Sequence, residues 1–248
     1  MGTKYRKDDD LAFLQYCSEE DIRQLAEFII FNNDGQERLC SEIFVEKEFK
    51  QHKDKPDQWR KCWHLVAGEL QHFGGDTFAN LIRRKGVLYK EILVDVCKKI
   101  NVSFDKKSSA YEIENKLIER LVEMAWDKMS ESERHETLRG LNLDDLARSR
   151  ADWAFISSSI LANGLVAGPW YAWAASAART SFSSAVISKS ALAAAPVVLS
   201  TRLVASVAVP LAVASLAPAI SGTAYRVTVP AVIQIAYMRR KYEEKERF

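Results

Sequence analysis

From Ala151 to Met238 the chain almost stops using charge. Asp152 stands at the edge of this stretch, and only Arg179, Lys189, Arg202 and Arg226 follow within it. Nearly all of the 35 Lys+Arg and 33 Asp+Glu of the 248-residue chain therefore lie outside it. Ionised side chains are costly to take out of water, so a long stretch without them suits lipid or deep burial. The charge-rich remainder suits a water-soluble domain. The break divides the chain into a helical part over residues 1–147, with a short N-terminal subdomain over 8–34, an apolar region over 148–241 and a charged tail over 242–248.

The polar part reads as helix after helix. Ser18 followed by Asp21 is a helix start signal, and Ile22, Leu25, Ala26, Ile29 and Ile30 follow at helical spacing. A second helix is expected over 36–50, with Leu39, Ile43, Phe44 and Phe49 inward. A third carries Trp59, Trp63, Val66, Ala67, Leu70 and Phe73 and is expected to end at Gly74-Gly75, with Asp76 capping the next. Arg83-Arg84-Lys85 before Gly86 fits a helix C-terminus. Further helices are expected over 87–100 and 111–129, the latter amphipathic through Ile113, Leu117, Leu121, Val122 and Ala125. Ser130 with Glu133 opens a last short helix ending near Gly140. No alternating pattern is sustained, so the fold class expected is all-α.

The low-charge region predicts something else. Residues 153–178 and 203–225 carry no formal charge, and each run exceeds the ~20 residues that a bilayer-spanning helix needs. The shorter pieces between them, and Val227 to Met238, are marginal. Alanine and serine dominate, and Pro169, Pro196, Pro210, Pro218 and Pro230 interrupt the pattern. An Ala/Ser-rich hydrophobic helical hairpin is the simplest arrangement, with a buried apolar layer of a soluble protein as its competitor. Trp153, Trp170, Tyr171, Trp173 and Tyr225 are candidates for the membrane interface. Arg179, Lys189, Arg202 and Arg226 could snorkel to headgroups or pair with acidic residues of the helical domain. Basic residues flank the region at Arg148, Arg150, Arg239, Arg240 and Lys241, which favours both ends staying cytoplasmic. The opening MGTKYRKDDD has no apolar core, so no cleaved secretory signal is expected.

Chemistry-bearing patterns are sparse. Glu69 and His72 stand at the spacing of a metal-binding E-x-x-H element, but the element occurs once and such sites need it twice. A polar edge on a Trp-bearing helix accounts for it. The four cysteines, Cys17, Cys40, Cys62 and Cys97, are too widely spaced for a zinc site and read as reduced buried thiols. No phosphate-binding loop, nucleophile elbow or zinc-protease motif appears. The small net charge of +2 gives no ground for nucleic-acid binding. The expectation is a non-enzyme with no cofactor, metal or small-molecule substrate.

The block Gly68-Glu69-Leu70-Gln71-His72-Phe73-Gly74-Gly75-Asp76, followed by Asn80, Arg83, Gly86 and Tyr89, resembles the YaaW-like family of bacterial proteins. Two further stretches agree: Leu11 to Glu20, and Ser221 to Val232 followed by Arg239-Arg240. That family is grouped with the ubiquinol–cytochrome c chaperone domain. The resemblance implies a bacterial origin and, through the chaperone grouping, a client held by the helical domain. Glu69, Gln71, His72, Phe73, Gly74, Gly75, Asp76 and Arg83 are then the candidate partner-binding residues.

Two functions from different classes follow. In the first, a cytoplasmic helical domain senses or regulates, and the apolar hairpin inserts into or permeabilises the inner membrane, as in stress or phage defence. Its contacts are the lipid bilayer, a protein partner or further copies of the chain. The second is a non-enzymatic assembly chaperone or scaffold for a membrane protein complex, cytoplasmic and at most conditionally membrane-associated.

Overall fold

The computed structural model describes residues 4–31, 42–77, 86–140, 174–175 and 225–246. Among these the chain forms eight α-helices: α1 (Glu19–Ile30), α2 (Lys47–Gln51), α3 (Gln58–Lys61), α4 (Trp63–Thr77), α5 (Tyr89–Ile100), α6 (Ala110–Lys128), α7 (Glu131–Gly140) and α8 (Tyr225–Glu246). Two 3-10 turns, Ala12–Tyr16 and Ile43–Val45, complete the set. The described residues hold no β-strand, so the architecture is all-helical.

Local chemistry explains most of the helix starts. The Ser18 hydroxyl accepts from the Asp21 amide at the head of α1, whose first turn carries Glu19, Glu20 and Asp21. Carboxylates there complement the unpaired amides and the positive end of the helix. Ser109 and Glu112 form a reciprocal capping box on α6. Ser130 and Glu133 do the same for α7, through Ser130 N to Glu133 Oε2 at 2.7 Å and Glu133 N to Ser130 Oγ at 3.4 Å. Helix α5 closes on Asn101, which adopts the left-handed conformation at φ 59°.

Two expected boundaries differ. The helix predicted over 36–50 is, where described, a 3-10 turn and the short α2, separated by extended Glu46. That break lets both Ile43 and Phe49 reach the core. Helix α4 does not stop at Gly74-Gly75 but continues to Thr77, while Trp59 belongs to the separate α3. Glycine permits a turn without imposing one, and its helical penalty of about 1 kcal/mol is small enough for neighbouring contacts to override.

The core gathers Leu14, Ile22, Leu25, Leu70, Leu93, Ile113 and Leu117 around α8. That helix packs against α1, the Ala12–Tyr16 turn, α4, α5 and α6. Every residue from Val227 to Ala236 is buried. A helix that is apolar on all sides must be covered on all sides, in a membrane or in a core. Here it is the central helix of the bundle, as a twelve-residue apolar run more often is. It also runs without interruption past 241, where the charged tail was expected to begin.

Among the described residues no helix is long and apolar enough to cross a membrane. Of the expected hairpin, the described part is Ala174 and Ala175, both buried, and the start of α8. Trp153, Trp170, Tyr171, Trp173, Arg179, Lys189 and Arg202 lie outside the described residues, as does Arg83.

Candidate functional site

Helix α4 carries the block singled out in the sequence. Glu69 is buried, and its Oε1 accepts from the Glu42 amide at 2.8 Å, fixing the head of the Ile43–Val45 turn. Gln71 is fully buried. Its side-chain amide pairs with the backbone of Arg6 in both directions, accepting from Arg6 N at 2.9 Å and donating to Arg6 O at 2.9 Å. An amide side chain thus replaces a neighbouring strand for the N-terminal segment. His72 and Phe73 are half-buried. The His72 Nε2 atom is enclosed and has no hydrogen-bond partner. Gly74, Gly75 and Asp76 form the last turn of α4.

From Gln71 a polar network runs into the bundle. Arg6 Nη1 donates to Gly86 O at 3.2 Å, and Val87 N donates to Gln71 O at 3.1 Å. Gly86 adopts φ +59°, and a Cβ there would stand 3.1 Å from the Gln71 Cβ. The backbone approach therefore needs glycine twice over, for its conformation and for its size. The Asp8 carboxylate accepts from Tyr89 N at 2.7 Å, placing a negative charge on the first turn of α5. The Tyr89 hydroxyl then donates to Glu114 Oε1 at 2.7 Å.

Arg239 of α8 closes the network. Its Nε donates to Glu114 Oε2 at 2.9 Å and its Nη2 to Asp10 O at 2.8 Å. Its guanidinium lies over the Phe13 ring, 4.5 Å from the centroid. Burial pushes the Glu114 carboxyl up, although Arg239 and the Tyr89 hydroxyl pull the other way. Burial likewise holds the Tyr89 hydroxyl far above its ordinary range, reinforced by the Glu114 charge. For Arg239, desolvation disfavours the charge, but Glu114 outweighs it and keeps the guanidinium cationic.

Further side-chain contacts pin α8. Lys241 Nζ donates to Asp21 Oδ2 at 2.8 Å. Arg240 donates to Asn115 Oδ1 and lies over the Tyr111 ring, 3.5 Å from its centroid. At the other end the Tyr225 hydroxyl donates to Asp95 Oδ2 at 3.0 Å. The four described residues of the expected membrane-contact set are thus differently placed. Arg239, Arg240 and Tyr225 face protein partners, and Arg226 is exposed. For the first three, reaching lipid requires giving up those partners.

Asp8, Glu114 and Asp21 were not among the sequence candidates. One signal pointed to Glu114: it falls on the apolar stripe of α6, one turn from Leu117 and two from Leu121. Arg239 continues the row of Val232, Ile235 and Ala236 in the same way. Among the described residues no group of three or more His, Cys, Asp or Glu could hold a metal ion, and Glu69 is committed to the Glu42 amide. Cys17, Cys62 and Cys97 are buried free thiols, raised by burial to about 12, 11 and 12.

The described residues and this network define a class: an all-helical bundle whose last described helix is threaded through it and locked by a buried charge pair. Residues 58–152 match the family model described as Ubiquinol-cytochrome C chaperone, and residues 5–39 match Domain of unknown function (DUF3944). The chain is 36% identical over 244 residues to the UPF0174 protein YaaW of Escherichia coli (strain K12), covering 97% of each. It is 31% identical over 247 residues to a UPF0174 protein of Helicobacter pylori strain J99, covering 97% of this chain and 94% of that one. The chain belongs to the UPF0174 (YaaW) family. No solved structure matches it.

Proposed function

We propose that this protein is a non-enzymatic assembly chaperone or scaffold of the bacterial cytoplasm, which holds a protein client on its helical part. The observation that carries the reading is the chaperone-family match over 58–152, the span that supplies α3 to α7. Within that span Glu69 and Gln71 serve the fold, and half-buried His72 and Phe73 on the same helix are the proposed client-facing pair. Residues 1–147 together with α8 form the client-holding unit in this reading. A photo-crosslinking residue placed at 72 or 73 in the full chain should trap one defined protein in cells, while one at exposed Arg60 should not. Adducts absent at both 72 and 73 would sink the proposal.

A second reading rests on the two uncharged runs over 153–178 and 203–225. In it the region after residue 148 inserts into or permeabilises the inner membrane. Trp153, Trp170, Tyr171, Trp173, Arg179, Lys189, Arg202 and exposed Arg226 then meet the bilayer. Carbonate extraction of membranes and dye release from anionic liposomes separate the two. Complete solubilisation by carbonate together with intact liposomes argues against insertion.

A further inference from the structure

One closed circuit of hydrogen bonds holds the N-terminal segment against α8. Asp10 N donates to Asp8 Oδ1 at 3.0 Å, and Asp8 Oδ2 accepts from Tyr89 N at 2.7 Å. The Tyr89 hydroxyl donates to Glu114 Oε1, and Arg239 Nε donates to Glu114 Oε2. Arg239 Nη2 then closes the ring on Asp10 O at 2.8 Å. Four separate pieces of chain meet there: the segment before Leu11, α5, α6 and α8.

The charges around this ring do not balance. Asp8 and Glu114 are buried, Asp10 is half-buried, and exposed Asp9 lies beside them. Against these four carboxylates stand Arg239 from α8 and half-buried Lys90 from α5. Tyr89 adds a neutral hydroxyl, α4 the neutral Gln71, and the Ala12–Tyr16 turn the apolar Phe13 ring. Arg6 is engaged on Gly86 O, and Lys241 on Asp21. The carboxylates also differ in how they are held. Glu114 accepts from Tyr89 and Arg239, and Asp8 from Asp10 N, Tyr89 N and Gln71 Nε2. The Asp10 carboxylate accepts no hydrogen bond among the described residues. A proton placed on it reduces the surplus negative charge without depriving any donor of its acceptor.

We propose that Asp10 is the proton-binding catch of a latch that closes the N-terminal segment on α8: protonated, it tightens the ring, and ionised, it loosens it. Burial and the Asp8 charge push the Asp10 carboxyl up from its ordinary 3.8, and Arg239 and Lys90 offset this only in part. A carboxyl raised in the closed form supports that form fully below 3.8, and the support is lost as pH rises through the raised value. The latch is therefore loosest at neutral pH. Every residue from Val227 to Ala236 is buried while it is closed, so the charge on Asp10 sets how often this apolar run is bared. The device does not depend on which of the two functions the protein serves.

Hydrogen exchange of the full chain, read by mass spectrometry with labelling times scaled to the intrinsic rate, tests the latch through peptides spanning 4–14 and 227–241. In wild type both should open less often near pH 4.5 than near pH 7, by about threefold or more. Asp10→Asn removes the charge and keeps the backbone carbonyl that Arg239 holds. Near pH 7 this variant should open less often than wild type, again by about threefold or more, and near pH 4.5 the two should converge. Asp10→Ser, which also lacks the charge, should behave in the same way. Equal opening of wild type at the two pH values would overturn the proposal. So would Asp10→Asn opening as often as wild type near pH 7, or a change of the same size in peptides from α7.

Discussion

Arg239 reaches Glu114 across 125 residues of sequence, with Nε on Oε2 at 2.9 Å and Nη2 on Oε1 at 3.1 Å. The pair joins the last described helix to α6 at a depth where neither side chain is well hydrated. A buried pair of this kind is weak as a net source of stability, because desolvation offsets the attraction, yet losing one partner strands the other.

Removing one partner should therefore be far worse than removing both. Arg239→Met and Glu114→Leu are each expected to cost about 3 kcal/mol in urea unfolding, near the lower end for a broken buried pair. The double replacement Glu114→Leu with Arg239→Met should cost less than either single change, a coupling of about 3 kcal/mol. Strict additivity in that cycle would mean that the two side chains do not act as a unit.

Gly86 should tolerate no side chain. Alanine there meets both a φ of +59° and a Gln71 Cβ only 3.1 Å away. The left-handed backbone alone costs about 1–2 kcal/mol, and relieving the contact would shift α4 or the Arg6 pairing. Gly86→Ala should lower the unfolding midpoint and raise proteolysis near Arg6, read by limited digestion and mass spectrometry. An unchanged midpoint would show that the approach of Gly86 to Gln71 is looser than described.

Much of the helical framework was legible because its signals are local. Ser18 with Asp21 and Ser130 with Glu133 mark helix starts through contacts within one turn, and the stripe of Ile113, Leu117 and Leu121 marks a buried face. The place of α8 was not legible. A run that is apolar on every side has the same periodicity in lipid and in a core, and only its neighbours decide. The network was half visible: Gln71, Gly86, Tyr89 and Arg239 all stand in the blocks that carried the family resemblance. Their convergence was not, because it depends on how α4, α5, α6 and α8 pack. Residues 74 and 75 misled for a third reason, since paired glycines weaken a helix without obliging it to end.

The buried thiols and Tyr89 make the fold sensitive to alkali. Burial raises Cys17 and Cys97 to about 12 and Cys62 to about 11 from an ordinary 9.0, and raises Tyr89 as well. The folded chain keeps these protons at pH values where the unfolded chain has released them. Stability is therefore fully present below the ordinary thiol value and falls as pH rises through about 9 towards 12. Melting followed by circular dichroism should show Tm constant near pH 7–8 and dropping above pH 9. Alkylation at pH 8 should be slow at Cys17, Cys62 and Cys97 until denaturant is added. Rapid labelling of folded protein at these positions would contradict their burial.

The middle of α8 offers a change in the opposite direction. Gln234 is fully buried, its Nε2 donates to Gln24 Oε1 at a long 3.4 Å, and its Oε1 has no partner. An enclosed carbonyl oxygen without a donor costs about 1–3 kcal/mol, more than a long amide contact returns. Methionine has nearly the same length and flexibility and carries no such requirement. Gln234→Met should therefore stabilise the protein by about 1 kcal/mol in urea unfolding, with an unchanged slope against denaturant. A loss of 1 kcal/mol or more would show that the amide is needed where it stands, holding the register of α8 against α1 in the way a single buried polar residue fixes register between packed helices.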